Sequence, residues 1–596
     1  VVNSKNCNLY YTDSPDFLIE YRGNFDEEIA KVPYACGNAI TGNIAIVTIS
    51  YEFLDQLLRD VPSIIFIDPR SMYVIQDISP SNVDNINNLK INPYLNLAGT
   101  GVLIGMVDTG IDYLNEEFIK EDGTSRVGSI WDQSIQDTTD TSVYIGKTFS
   151  KEQINNAIQA SKSNQDPYQI VPSRDEIGHG TKMAGIIGAR GYNGEFQGVA
   201  HDSEFVIVKL FESINYKERL KLNGIEYTPV YNAAEILAGI DYLKNYSVKS
   251  QKPMVIYIGV GTTEGSHDGN NLLSRYITSI GSIRGIVTVT GVGNEGATGG
   301  HASGILKSVG DISTVQLRVP REIAYFSFDI WVKKPNRASV NIISPTGEAS
   351  KFIEVSKDKI ARFKYVFTDT RLTVRYYSPE HYTGHQVINL VIEAIKPGIW
   401  QFQLRGEYIT SGRFDIWLPP ARTLPQDTNF LESDPYITLT IPSTARKVVT
   451  VAYYGNNNAL MATSGKGFNS NNLVNPDIIT TGVNILTTKV GGGVVTDSGS
   501  SAAAAVVAGA CALLLQWGIV EKNDITMYST KIRSYLIYGA DRSNAVYKYP
   551  SREIGFGSFD LLSTFDIISR TFRNDNIQNG KFLEYYCNGL FIRIPG

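Results

Sequence analysis

Gly101–Gly110 reads GVLIGMVDTG. From Val102 to Val107 every residue but Gly105 is apolar, without polar alternation and too short for an ordinary helix, so the run reads as a strand covered on both faces. It stops at Asp108, and Thr109-Gly110 open a turn. The same pattern returns in Glu204–Phe211 (EFVIVKLF), Met254–Gly261 (MVIYIGVG), Gly285–Asn294 (GIVTVTGVGN) and Lys447–Tyr454 (KVVTVAYY), with helical spacing between, as in Ala233–Leu243. Buried strands alternating with amphipathic helices predict an α/β fold, a parallel sheet with helices on both faces. Reactive groups of such sheets gather at the carboxyl ends of the strands, where Asp108 lies.

The flanks differ. Residues 1–76 predict a small α+β unit, with strands at Asp16–Tyr21, Asn43–Ser50 and Ser63–Asp68 and a helix over Tyr51–Arg59. Asp77–Asn88 is polar and reads as a linker. Between Val309 and Pro442 short alternating strands follow one another with almost no helical signal, which predicts an inserted all-β domain, a sandwich or jelly roll. The expected division is 1–76, 77–308, 309–442 and 443–596.

The 596 residues are 42% hydrophobic and 19% charged with net charge -6, a balance that suits a soluble globular protein and offers no electrostatic footprint for nucleic acid or an anionic membrane. No stretch is expected to cross a membrane. The amino-terminal residues lack the apolar core of a signal peptide, so synthesis without an export address is expected. The four cysteines, Cys7, Cys36, Cys511 and Cys587, are scattered and read as free thiols, mostly buried. No dense acidic loop or spaced histidine set suggests a metal, and no cofactor is expected.

Four residues could carry chemistry, and each has a plain alternative. Asp108 could be a turn residue. His179, in GHGTKMAG (Gly178–Gly185), sits between glycines before a small-residue helix. Ser501, in SGSSAAAAVVAGACALLL (Ser498–Leu515), lies at the positive end of a helix dipole, or is merely its N-cap. Asn294, closing Gly285–Asn294, could donate its amide to an oxyanion or simply serve a turn.

Together, in the order Asp, His, Asn, Ser, these blocks resemble the subtilase family: Asp108-Thr109-Gly110, His179-Gly180-Thr181, Gly293-Asn294-Glu295-Gly296, and Gly499-Ser500-Ser501 with Val507-Ala508-Gly509. The resemblance covers about 101–300 and 440–560. Three positions depart from the family pattern: Ser500 precedes the nucleophile in place of Thr, Ala505 replaces a helix Pro, and Gly259-Val260-Gly261 stands where Ser-Leu-Gly is usual. The resemblance implies a serine endopeptidase with Asp108, His179 and Ser501 as triad, Asn294 in the oxyanion hole, a protein substrate paired as a strand with Gly259, Val260 and Gly261, and Gly291, Val292 and Gly293 flanking the primary specificity pocket. It also implies that 1–76 is a propeptide whose tail occupies the cleft, with self-cleavage after Gln76.

The long β insert, separating Asn294 from Ser501 by 207 positions, is similar to that of the clostridial germination-specific Csp proteases, as is the tail Glu584–Pro595. That likeness implies packaging in the spore and activation of the pro-form of a cortex-lytic enzyme. The competing reading is a scaffold or signalling protein with an intact triad occluded by its propeptide. An exposed aromatic row would make the insert a binding module. Lacking an evident exposed Trp cluster, it reads as a brace for the core.

Overall fold

The computed structural model describes residues 7–12, 14–76, 97–137, 139–354, 360–455 and 459–568. The expected linker, Cys587 and the tail resemblance at Glu584–Pro595 lie outside them.

Eight strands form the central sheet, in the spatial order Ile478–Thr481, Val449–Tyr454, Ile286–Gly291, Met254–Ile258, Leu103–Asp108, Glu204–Lys209, Val127–Asp132 and Lys147–Ser150. All neighbours run parallel except the last pair. Alternation within each strand separates two cores. Ile104 and Met106, with Val255, Val287 and Val449, pack under the helices His179–Gly188 and Ser500–Leu515. Leu103 and Val107, with Met254, Ile256 and Ile258, pack under Ala233–Ser250 and Leu272–Ile280. Both faces being covered is why these strands read as unbroken apolar runs.

Ser500–Val520 is long and apolar enough to cross a membrane by length and composition only, but 83% of its most apolar stretch is buried, as in a core helix. Every residue of Ser500–Leu515 is enclosed in the protein core.

The amino-terminal unit is a four-stranded antiparallel sheet, Ala35–Ala39, Ile44–Ile49, Asp16–Tyr21 and Ile64–Ile67 in spatial order. Phe17 and Ile19 point into its own core, while Leu18, Ile44 and Ile46 pack on the central domain beside helix Ala233–Ser250. Cys7 and Cys36 are joined as a disulfide, their Cα atoms 6.2 Å apart, which corrects the expectation of free thiols. The chain folds its amino-terminal turn onto the strand edge and brings together cysteines that are 29 positions apart, a tertiary proximity with no local signal. Cys511 remains a buried thiol.

The insert has two antiparallel sheets, of six and four strands, enclosing one apolar core. Its first strand, His301–Ile305, precedes the expected boundary at 309 and pairs with Arg413–Trp417. Its contacts fasten it to both other units. Trp417 is stacked between His267 of the central domain and His301, at ring distances of 4.2 and 4.9 Å. Asn223 exchanges two hydrogen bonds with the Tyr325 backbone. His381 stacks on Phe66 of the amino-terminal unit and pairs with Glu20 at 3.1 Å.

A cavity of about 110 Å³ lies where the three units meet, lined by Asp68, Glu264, Asp329 and Glu380 among others. Burial, reinforced by Glu380, pushes Asp68 up to about 8. Enclosure also pushes Glu264 up to about 8 against the opposing effect of the Met72 amide. Both carboxyls therefore hold protons in the folded state that they lose in the unfolded chain near their ordinary values of 3.8 and 4.5. The stability they permit is complete below that range and is lost as pH rises through about 8. The thermal midpoint of wild type, measured against that of the Asp68→Asn/Glu264→Gln double variant, is expected to fall as pH rises from about 5 to 9. Parallel curves would contradict this origin.

Candidate active site

Asp108 ends its strand fully buried, and its Oδ1 accepts from Thr109 N–H at 2.7 Å and meets His179 Nδ1 at 2.7 Å. An ionised carboxylate only accepts, so it fixes the imidazole proton on Nδ1 and leaves Nε2 as the basic nitrogen. Gly259 follows the neighbouring strand Met254–Ile258, and a Cβ there would overlap Asp108 Oδ2. That crowding explains a glycine at the point where the chain leaves the parallel sheet, rather than continuing through Gly261 as one strand.

His179 is the first residue of His179–Gly188. Asp175, four positions earlier, organises that turn. Its Oδ1 accepts from Gly178 N–H (2.8 Å) and Thr109 Oγ1 (2.7 Å), and its Oδ2 from Thr181 N–H (2.8 Å) and Thr181 Oγ1 (2.7 Å). Sequence reasoning passed over Asp175, although a carboxylate just before a Gly-His-Gly turn is the signal that could have found it. Asp175→Ala would leave four buried donors unsatisfied, at about 1–3 kcal/mol each before relaxation. It is expected to lower the thermal midpoint and to slow peptide-bond cleavage by about 100-fold or more through loss of His179 alignment. Paired melting and rate measurements check this.

Ser501 lies in the first turn of Ser500–Leu515, whose N-cap is Gly499 without a side-chain cap bond, so Ser501 does not serve as the cap. Its Oγ is buried and has no hydrogen-bond partner among the described residues. Asn294 Oδ1 accepts from Ser500 N–H at 3.1 Å, which turns the donor end of the amide away from Ser500.

Residues 73–76 fill the cleft between these groups. Tyr73 and Tyr231 exchange backbone hydrogen bonds of 3.0 Å, and Val74–Ile75 pairs antiparallel with Val260–Gly261. Met72 N–H donates to Glu264 at 2.7 Å. Gln76 N–H donates to Gly259 O at 3.4 Å, and Gln76 O accepts Ser501 N–H at 3.1 Å.

The Gln76 side chain is buried in a small polar pocket. Its Nε2 donates to Thr440 Oγ1 (2.7 Å), and its Oε1 accepts from Ser500 Oγ (3.4 Å). Gly261 forms one side, while Val292 accepts Thr440 N–H (3.0 Å) and Gly293 N–H donates to Ser500 Oγ (3.1 Å), holding the two residues that meet the glutamine amide. Gly291 packs against the Ser500 backbone behind it. Thr440 belongs to the segment leaving the β insert, remote from every motif, and nothing local in the sequence marked it. Among the described residues no group of three or more His, Cys, Asp or Glu side chains is placed to hold a metal ion.

The profile of the subtilase family matches residues 99–341 and 432–557, the gap falling in the β insert. The structure of the Clostridium perfringens CspB protease is similar at 33% identity and a TM-score of 0.70, over 79% of this chain and 93% of that one. The Staphylococcus aureus epidermin leader peptide processing serine protease is similar at 15% identity and a TM-score of 0.46, over 94% and 99% of the two chains. Fervidolysin from Fervidobacterium pennivorans gives 13% identity and 0.47, over 93% and 61%. No curated protein matches the chain in sequence.

Proposed function

The chain belongs to the subtilase family and is a serine endopeptidase, and from that premise we propose that it cleaves itself after Gln76 and then acts on a protein substrate through the same site. In this reading Ser501 Oγ attacks the Gln76 carbonyl while His179 Nε2 takes its proton. The tetrahedral oxyanion is held by Ser501 N–H and Asn294, and His179 returns the proton to the departing amine of residue 77. Asp108 orients the imidazole and stabilises its charged form. Water then releases the acyl group by the same steps in reverse order.

The observation that carries the proposal is the Ser501 N–H donated to Gln76 O at 3.1 Å. A carbonyl held by an oxyanion donor, with its side chain seated in the specificity pocket and its upstream residues paired as a strand, has the pose of a substrate or product. Intact mass of the purified full chain should give fragments 1–76 and 77–596.

The likeness to the CspB protease supports a finer reading: storage in the spore and activation of the pro-form of a cortex-lytic enzyme during germination. Incubating the processed protein with such a proenzyme tests it, and cleavage on the carboxyl side of a glutamine is expected. The filled cleft also favours the alternative of an occluded scaffold. Under that reading the proenzyme stays uncut even after the chain has processed itself.

A further inference from the structure

We propose that Arg422, carried to the cleft by the β insert, is a substrate-positioning residue that holds the carbonyl of the residue before the one at the scissile bond. The inference rests on the reading of residues 73–76 as the bound segment.

In a trans peptide unit the N–H and C=O point in opposite directions. The unit joining Ile75 to Gln76 donates its N–H to Gly259 O on the central domain. Its carbonyl, Ile75 O, therefore faces the other wall, where Arg422 Nη1 donates to it at 3.5 Å. The peptide unit next to the reacting carbonyl is thus gripped from both sides, once by the core and once by the insert. Holding this planar unit from both sides restricts φ at Gln76, one of the torsions that set where Gln76 O lies relative to Ser501 N–H.

The turn bearing Arg422 is itself fixed to the site. Ala421 N–H donates to Glu295 Oε2 at 3.3 Å, immediately beyond Asn294. Thr228 Oγ1 donates to Arg422 O at 3.4 Å, tying the turn to the wall that continues to Tyr231. Thr423 Oγ1 closes the turn on Pro420 O at 2.7 Å. The insert on this account contributes to catalysis as well as to rigidity.

Self-cleavage of the full chain, followed by intact mass from the end of in vitro synthesis, tests the inference in wild type, Arg422→Ala and Arg422→Lys. Loss of a charge-assisted hydrogen bond is expected to slow Arg422→Ala about 10- to 100-fold. Arg422→Lys should recover part of the rate, added ethylguanidinium should partly rescue Arg422→Ala, and the thermal midpoints should agree. Arg422→Ala cutting at the wild-type rate overturns the inference. So does slow cutting with a lowered midpoint and no rescue by Lys or ethylguanidinium, which would make Arg422 merely structural. A wild-type chain that stays whole would instead remove the self-cleavage reading beneath it.

Discussion

The Ser501→Ala chain is expected to stay whole under conditions in which wild type separates into 1–76 and 77–596, a loss of about six orders of magnitude by the measured cost of removing the nucleophile from an enzyme of this type. Three features make the loss complete. Ser500, the adjacent hydroxyl, is committed to Gly293 N–H and the Gln76 amide and cannot replace the nucleophile. The backbone N–H at 501 survives the substitution, so Gln76 O keeps its donor and the segment stays seated. Because Ser501 Oγ has no hydrogen-bond partner among the described residues, its removal breaks no hydrogen bond there, and the thermal midpoint should not fall. The variant is therefore a folded, occupied and inert form. If it were cut at the same bond, another protease would be responsible and self-processing would be withdrawn.

The parallel sheet was legible because burial on both faces writes itself into unbroken apolar strands, and GVLIGMVDTG announced both a central strand and the residue at its end. The motif residues were legible because each needs tight turns at fixed offsets: Gly499 before the Ser500–Leu515 helix and the glycines around His179. The β insert was legible as alternation, although its first strand, His301–Ile305, was missed because it follows Gly299-Gly300 directly and pairs with a strand more than a hundred positions away.

What stayed hidden depends on contacts across long separations. Thr440 reaches the pocket only through pairing of the insert's exit segment with Thr262, and Arg422 only through the turn after Arg413–Trp417 of the six-stranded sheet. The Cys7–Cys36 pairing exists only once the amino-terminal turn folds onto its strand edge, and the acidic cavity at Asp68 only where the three units meet. The Gln76 assignment had only an extended run behind it in sequence. Its present support is spatial, lying in which carbonyl meets Ser501.

Gly261→Ala is expected to slow self-cleavage strongly while leaving the fold intact. Gly261 pairs with Val74 through its backbone and is not among the residues with positive φ, so alanine can adopt its conformation. A Cβ added there, however, would overlap the Gln76 amide nitrogen and the Thr440 hydroxyl. Overpacking of this kind costs about 1–3 kcal/mol, and displacing the glutamine also forfeits its bond to Thr440, worth about 1 kcal/mol. Together they correspond to a slowing of about 30- to 900-fold. Compensation makes the test specific: shortening the occupant in a Gly261→Ala/Gln76→Ala chain removes the overlap with the glutamine, leaves only that with Thr440, and should restore part of the rate. Gly261→Ala cut at the wild-type rate would mean that Gln76 does not occupy the pocket when the bond breaks. Failure of the double variant, with an unchanged thermal midpoint, would mean instead that Gly261 matters for pairing the substrate strand. Restoration by the shorter side chain is the outcome that follows from a pocket built to the size of a glutamine, with Gly261 as one side and Thr440 as its polar end.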